Sequence, residues 1–425
     1  MSREQMETEN VSSRDFVKER IKARPVDKKK LFKKSMSTVL SSVIFGIVFC
    51  LCFFLIEPRI DKMLHKDEKV QFIEFPEAAL EEEMLPENML TDEQNQMEDT
   101  QDVWNINDYQ ELQNSLTKVA EKARRSVVLV TGTTTEENWF ESSYENKHFS
   151  AGVVVGDNGQ EYLILVKLST LKLSDKLVVV FFNEKQAAAT IKQIDVQSGY
   201  GVVAVKKEDL SEVDRDNITV ATLGSSNLSI LIGRPVIALG NPIGTGNGIC
   251  YGNITSVGKP VSLVDGYYKL MTTDIYGSTQ ASGVLVNMNG HVIGIIDNSY
   301  NTSDMKNIIS ALGISEMKSL IQNLSNDISI PYLGVQAVSV TTSVNTRYGV
   351  PFGAYLTSVE LDSPAILAGL QAGDVITEFA GKEIKTVGDL VSALLSSSKG
   401  ETVQVKIDRE VHGGYTDMSL KITLQ

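Results

Sequence analysis

The stretch Thr272 to Ile296, TTDIYGSTQASGVLVNMNGHVIGII, constrains the fold more than any other part of the chain. Residues 283–286 and 291–296 have β-strand character and flank an Asn287-Met288-Asn289-Gly290 turn, while a loop of small residues, 277–282, leads into the first run. Strand, tight turn and strand behind a glycine and serine loop are the expected local structure.

Further short strands are expected along the chain at 127–130, 177–182, 188–194, 201–206, 235–239, 251–257 and 269–273. Residues 151–155 and 162–166 around the turn Gly156-Asp157-Asn158-Gly159 read as a β-hairpin. Many short strands with glycine-rich turns predict a mainly β protein, an all-β barrel or sandwich. Ahead of them, Leu112, Leu116, Val119 and Ala123 recur at spacings of four, three and four, as on one face of an amphipathic helix.

After Ile330 the pattern changes. Ser363-Pro364 starts a helix that Gly369 can end, Gly373-Asp374 turns into a strand at 375–379, and 387–396 fits an amphipathic helix with Val387, Leu390, Leu394 and Leu395 on one face.

A chain of 425 residues allows two or three domains and a sizeable core. The net charge of -14 argues against nucleic-acid binding. Cys50 and Cys52 lie in an apolar run and Cys250 stands alone, so no disulfide framework is implied and Cys250 reads as a packed thiol. Neither a metal cluster, a phosphate-binding loop nor a nucleotide fingerprint is present, so no metal and no cofactor are expected.

Residues 1–34 form a polar tail ending in Lys28, Lys29, Lys30, Lys33 and Lys34. The 21 residues from Met36 to Ile56 carry no charge and as a helix would span roughly 31 Å, about one hydrocarbon core. Lysines precede the run and acidic sequence follows, which predicts a transmembrane helix at 35–56, a cytoplasmic N-terminus and everything beyond outside the cell membrane. A cleaved signal peptide is the alternative; the exit Glu57-Pro58-Arg59-Ile60 offers no small-x-small cleavage site. Residues 57–104 are acidic and read as a solvated stalk rather than a docking arm.

The opening stretch resembles the nucleophile loop of trypsin-like serine proteases of the HtrA type, in which TD, GNSGGPLVN, a turn and VIGI follow one another. Thr273-Asp274, Gly283, Leu285-Val286-Asn287, Gly290 and Val292-Ile293-Gly294-Ile295 match, and Val236-Ile237-Ala238-Leu239-Gly240-Asn241-Pro242 is similar to the family's VIAIGNPFG string. The resemblance implies a double β-barrel over 105–328. It also places the catalytic triad, and all three positions are vacated.

The nucleophile position falls on Ala281. The histidine of the family's YILTNNHVV-like motif falls on Ser169, and the aspartate of its DPRTDLAVLKV-like motif falls on Gly199. A serine is no base near neutral pH, so a nucleophile would have no proton acceptor. By family topology His65, His148, His291 and His412 do not reach the cleft. Ser282, one residue on, reads as a small loop residue, and without a base its hydroxyl would be a weak nucleophile. The linker Asp274-Ile275-Tyr276-Gly277 is one residue shorter than the family's, which argues against a formed oxyanion hole.

Residues 331–425 resemble a PDZ domain of the HtrA type, carried by Pro331-Tyr332-Leu333-Gly334-Val335, Gly353-Ala354-Tyr355-Leu356, Ser363-Pro364-Ala365 and Gly373-Asp374-Val375-Ile376 in the family's order. The resemblance implies that Tyr332, Leu333, Gly334 and Val335 present backbone N–H groups to the carboxylate of a C-terminal or unfolded peptide segment. A groove occluded by the protein's own chain, or used only for packing, is the alternative. The family also implies homo- or hetero-trimers. The expected function is thus that of a membrane-anchored pseudoprotease acting as scaffold, sensor or regulator in protein quality control, against an active serine endopeptidase.

Overall fold

The computed structural model describes residues 71–75, 105–136, 144–171, 176–227 and 229–425. Twelve strands close into two antiparallel six-stranded barrels. The first holds β1 (Val127–Glu136), β2 (Tyr144–Asp157), β3 (Glu161–Lys167), β4 (Lys176–Val180), β5 (Gln186–Ile194) and β6 (Tyr200–Lys206), joined in the order β1-β2-β3-β6-β5-β4. The second holds β7 (Pro235–Asn241), β8 (Gly248–Leu263), β9 (Gly266–Tyr276), β10 (Ser282–Val286), β11 (Val292–Asp297) and β12 (Ile308–Gly313), in the order β10-β11-β12-β9-β8-β7.

Continuous apolar runs build these barrels because both faces of the central strands are covered. In β3, Tyr162, Ile164 and Val166 point into the first barrel, while Leu163 and Leu165 join a core shared by both barrels. In β11 a bulge at Ile293 breaks the alternation, so that Ile293 and Ile296 point inward while Val292 and Ile295 face the shared core. Two helices complete that core. The first, α1 (Ile106–Ala123), contributes Ala120 and Ala123. The second, α2 (Ile314–Ser325), buries Met317, Leu320, Ile321 and Leu324, each contributing roughly 1.5–3 kcal/mol.

The third module is a sheet of β13 (Val335–Ser339), β14 (Ala354–Val359), β15 (Val375–Phe379), β17 (Thr402–Val411) and β18 (Gly414–Thr423) in that order, with β16 (Lys382–Glu383) paired to β15. Ser363 caps α3 (Pro364–Leu367) by accepting the Ile366 N–H at 3.2 Å, and Gly369 follows at φ +92°. Helix α4 (Val387–Leu395) buries Val387, Leu390 and Leu394, the expected face, while Leu395 lies partly buried against the shared barrel core.

Three expectations need correction. The apolar stripe of α1 is buried only in its last turns; Leu112 is 54% exposed. Strands β8 and β9 run far past the expected 251–257 and 269–273 because Gly258, at φ +99°, forms a β-bulge that lets the ladder continue through Pro260↔Lys269 to Leu263↔Gly266. Within the expected solvated stalk, residues 71–75 are docked: the Gln71 N–H donates to the Asn158 carbonyl at 3.1 Å and the Ile73 N–H to Asn326 Oδ1 at 3.0 Å. Gly156 leaves the space that Ile73 fills, since a Cβ there would lie 2.2 Å from Ile73 Cδ1.

The rest of the stalk, the tail at 1–34 and the expected transmembrane helix at 35–56 lie outside the described residues. Among the described residues no helix is long and apolar enough to cross a membrane. Cys250 is half-buried against the interior of the second barrel, and burial pushes its thiol pKa up.

Candidate functional site

A cleft of about 590 Å³ opens between the barrels, walled by β2, β3, β10 and β11 and by the loop that precedes β10. Ser169, Ala281 and Ser282 all line it. Gly199 lies directly behind Ser169, whose N–H donates to the Gly199 carbonyl at 3.1 Å. The structure therefore brings the three positions expected for base, orienter and nucleophile to one place, and each lacks the group that triad chemistry requires.

The backbone at these positions is held by local hydrogen bonds. Gly199 has φ +75° and closes a tight loop from Asp195, whose carboxylate accepts the Ser198 hydroxyl at 2.6 Å and the Gln197 N–H at 3.1 Å. In the loop before β10, the Ala281 N–H donates back to the Ser278 carbonyl at 3.1 Å, and Asn298 Nδ2 donates to the same oxygen at 2.8 Å. That amide is spent inside the loop and does not face the cleft as an oxyanion donor must. Ser282 Oγ accepts the Ala151 N–H at 2.9 Å, which ties the neighbouring hydroxyl to the first barrel.

An ion pair that the sequence reading missed dominates the electrostatics. Lys167 Nζ lies 2.6 Å from Asp297 Oδ2 and 2.9 Å from Ser299 Oγ, and the Tyr200 hydroxyl donates to the same carboxylate at 2.9 Å. The ammonium also stands 5.8 Å and 5.6 Å from the Tyr200 and Tyr300 ring centres. Burial and the adjacent Asp297 charge hold the Tyr200 phenol well above its ordinary pKa and push Tyr300 up to about 12. As an ion-paired ammonium, Lys167 offers no lone pair to take a proton.

Neither His291 nor His412 lines the cleft. The backbone of His148 pairs with Gly132 on the outer part of β2, His291 packs beside Gly224, and His412 sits in the turn between β17 and β18. His65 lies outside the described residues. Asp297 directly follows the apolar run of β11 and Lys167 ends that of β3, so a charge at the end of each run was the available signal.

In the third module, Leu333, Gly334 and Val335 do present converging amides. They already hold a carboxylate, that of Asp265 in the β8–β9 turn. The Leu333 N–H donates to Asp265 Oδ2 at 2.7 Å, the Gly334 N–H to Oδ2 at 2.8 Å and to Oδ1 at 3.0 Å, and the Val335 N–H to Oδ1 at 3.0 Å. The backbone N–H of Tyr332 instead donates to the Gln425 carbonyl at 2.8 Å, so Tyr332 frames the loop without joining the cradle. Gly334, at φ +87°, has no room for a side chain because a Cβ would lie 2.2 Å from Ser363 Cβ.

Comparison with known proteins agrees with this architecture. The trypsin-like peptidase domain family matches residues 150–295 and the PDZ domain family matches residues 331–424. Serine protease Do-like HtrA of Lactococcus lactis subsp. cremoris is 26% identical over 282 residues, 61% of this chain and 67% of its own. Periplasmic serine endoprotease DegP of Salmonella typhimurium is 26% identical over 289 residues, 63% of this chain and 60% of its own. The chain spans 55% of the length of a DegP-like endoprotease from Halomonas elongata. Among solved structures, HtrA-type protease AlgW with decapeptide superposes with a TM-score of 0.52 at 18% identity, covering 73% of this chain and 98% of that one.

Proposed function

The chain belongs to the HtrA-type family of trypsin-like serine proteases with a C-terminal PDZ domain, and from that premise we propose that it is a pseudoprotease that binds peptide segments. One observation carries the reading. Ser169 and Ala281 line the cleft, with Gly199 directly behind Ser169, where base, nucleophile and orienter would be needed. With those three groups gone the covalent route is closed, and any remaining transition-state binding has no attacking group to assist. The ion pair of Lys167 with Asp297 fills the polar end of the cleft instead.

Peptide binding is carried to this chain from the PDZ amides and from AlgW, which was solved with a decapeptide. The chain acts as a scaffold, sensor or regulator in protein quality control, held at the cell membrane by residues 35–56 with the barrels and PDZ domain outside. Trimer formation, alone or with a triad-bearing relative, is part of the same proposal, and co-purification of such a relative supports the mixed form.

The test uses the full chain in detergent, with fluorescent casein as an unfolded substrate, a serine-directed fluorophosphonate, and trypsin as the positive control. No turnover and no labelling are expected. Turnover that survives stringent purification and disappears in Ser282→Ala would establish the active endopeptidase reading instead. Deleting residues 36–56 is expected to move the protein from the membrane to the soluble fraction; unchanged sedimentation refutes the anchor.

A further inference from the structure

The tip of the β8–β9 hairpin carries the features by which a PDZ groove recognises a chain terminus. A carboxylate, Asp265, faces three consecutive amides. An aliphatic side chain, Leu263, shares with Val387, Leu390, Val391 and Leu394 the lining of a residual cavity of only about 10 Å³. Backbone and side-chain bonds align the tip along β13: the Asp265 N–H donates to the Val335 carbonyl at 2.8 Å, Ser262 Oγ to the Ala337 carbonyl at 2.7 Å, and Gln336 Nε2 to the Ser262 carbonyl at 2.7 Å. Tyr267 packs on the PDZ core from the same tip.

We propose that this hairpin tip is an internal ligand that closes the PDZ groove, and that the groove opens to peptides ending in an aliphatic residue with a free carboxylate when they displace Leu263 and Asp265. The inference rests on the peptide-binding reading above. Occupancy is exclusive, because one set of amides holds one carboxylate and the remaining space holds no second side chain. Asp265 takes φ +55°, a conformation open to aspartate and adopted by glycine without a Cβ penalty, so glycine can replace it without changing the turn. Gly258, at φ +99° with no neighbour within 4 Å of a Cβ position, interrupts the ladder below the tip and supplies a pivot.

The experiment compares the full chain with its Asp265→Gly variant, which keeps the turn conformation and removes the carboxylate. Both are screened on one array of random peptides synthesised once with a free C-terminal carboxylate and once as the C-terminal amide. At least tenfold tighter binding of carboxylate peptides by Asp265→Gly, with no gain for the amides, is the expected result. Equal carboxylate binding by both proteins overturns the internal-ligand proposal and leaves peptide binding standing. Absence of carboxylate-dependent binding in both overturns peptide binding as well and reduces the contact to a joint between domains. A measurement on the wild-type chain guards against a variant that fails to fold: saturation with an array-selected carboxylate peptide must release hydrogen-exchange protection at the Asp265 amide. Binding without that release also overturns the proposal.

Discussion

Gly199 leaves no room for a side chain beside Ser169: a Cβ built there would lie 2.5 Å from Ser169 Oγ and 2.8 Å from its Cβ. At φ +75° the position is also strained for any residue with a side chain. Gly199→Asp is therefore expected to cost about 2–3 kcal/mol in urea denaturation. The triple variant Ser169→His/Gly199→Asp/Ala281→Ser is expected to remain inactive on casein, because the Ala281 amide stays bonded to Ser278. Turnover by the triple variant would show that only side chains, and not the backbone, had been lost.

Lys167 and Asp297 meet across 130 residues of sequence and join the two barrels at the cleft. Asp297 is 3% exposed and Lys167 18%. Asp297→Ala strands the ammonium and the Tyr200 hydroxyl, with an expected loss of about 2–4 kcal/mol, below the fully buried case because Lys167 keeps some solvent. Lys167→Met/Asp297→Ala is expected to recover part of that loss, so a double-mutant cycle checks the coupling. A single-variant loss under about 0.5 kcal/mol would make the pair a surface contact in energetic terms.

What the sequence revealed was local. The runs of β3 and β11 read as strands because their burial on both faces leaves no polar alternation to misplace, and Ser363, Pro364 and Gly369 punctuate α3 within seven residues. Ser169 and Ala281, which line the cleft, each lie a few residues from such an apolar run. What stayed hidden was set by long-range geometry. Asp265 before Gly266 signals a turn, and nothing nearby says that its carboxylate meets amides 68 to 70 residues on. The strand expected at 251–257 ends before Gly258 and Pro260, and only the bulge shows how pairing continues past them. Residues 71–75 are too few to show a periodicity, and their bonds reach Asn326 and Gln322.

Asp374 was read only as part of a turn, yet its carboxylate is a buried anchor of the PDZ domain. Arg409 grips it with Nε and Nη2, both at 2.7 Å, and the Gln371 N–H donates to it at 2.9 Å. The pairing raises the Arg409 pKa further above its ordinary value. Asp374→Ala is expected to cost about 3 kcal/mol, and Arg409→Lys about 1–2 kcal/mol because an ammonium cannot form the two-pronged contact. Urea denaturation followed by hydrogen exchange at 369–374 reads both; equal losses would mean that charge, and not fork geometry, is what matters.

Asp265 gives the docked hairpin a pH dependence whose sign follows from its surroundings. Burial pushes its pKa from the ordinary 3.8 up to about 6, against the opposing pull of the Val335, Gly334 and Leu333 amides, with the Asp195 carboxylate adding to the rise. The docked state thus binds a proton more tightly than the undocked one. Its contribution is fully present below about pH 4 and is lost as pH rises through about 6. Hydrogen-exchange protection of the Asp265 amide, corrected for intrinsic exchange, is expected to fall between pH 4.5 and 7 in the wild-type chain. In Asp265→Asn, where nothing titrates at this position and asparagine tolerates the positive φ, the difference should flatten. Protection that rises over the same interval in the wild type alone would mean that the three amides outweigh burial and that the hairpin is released by acid rather than by base.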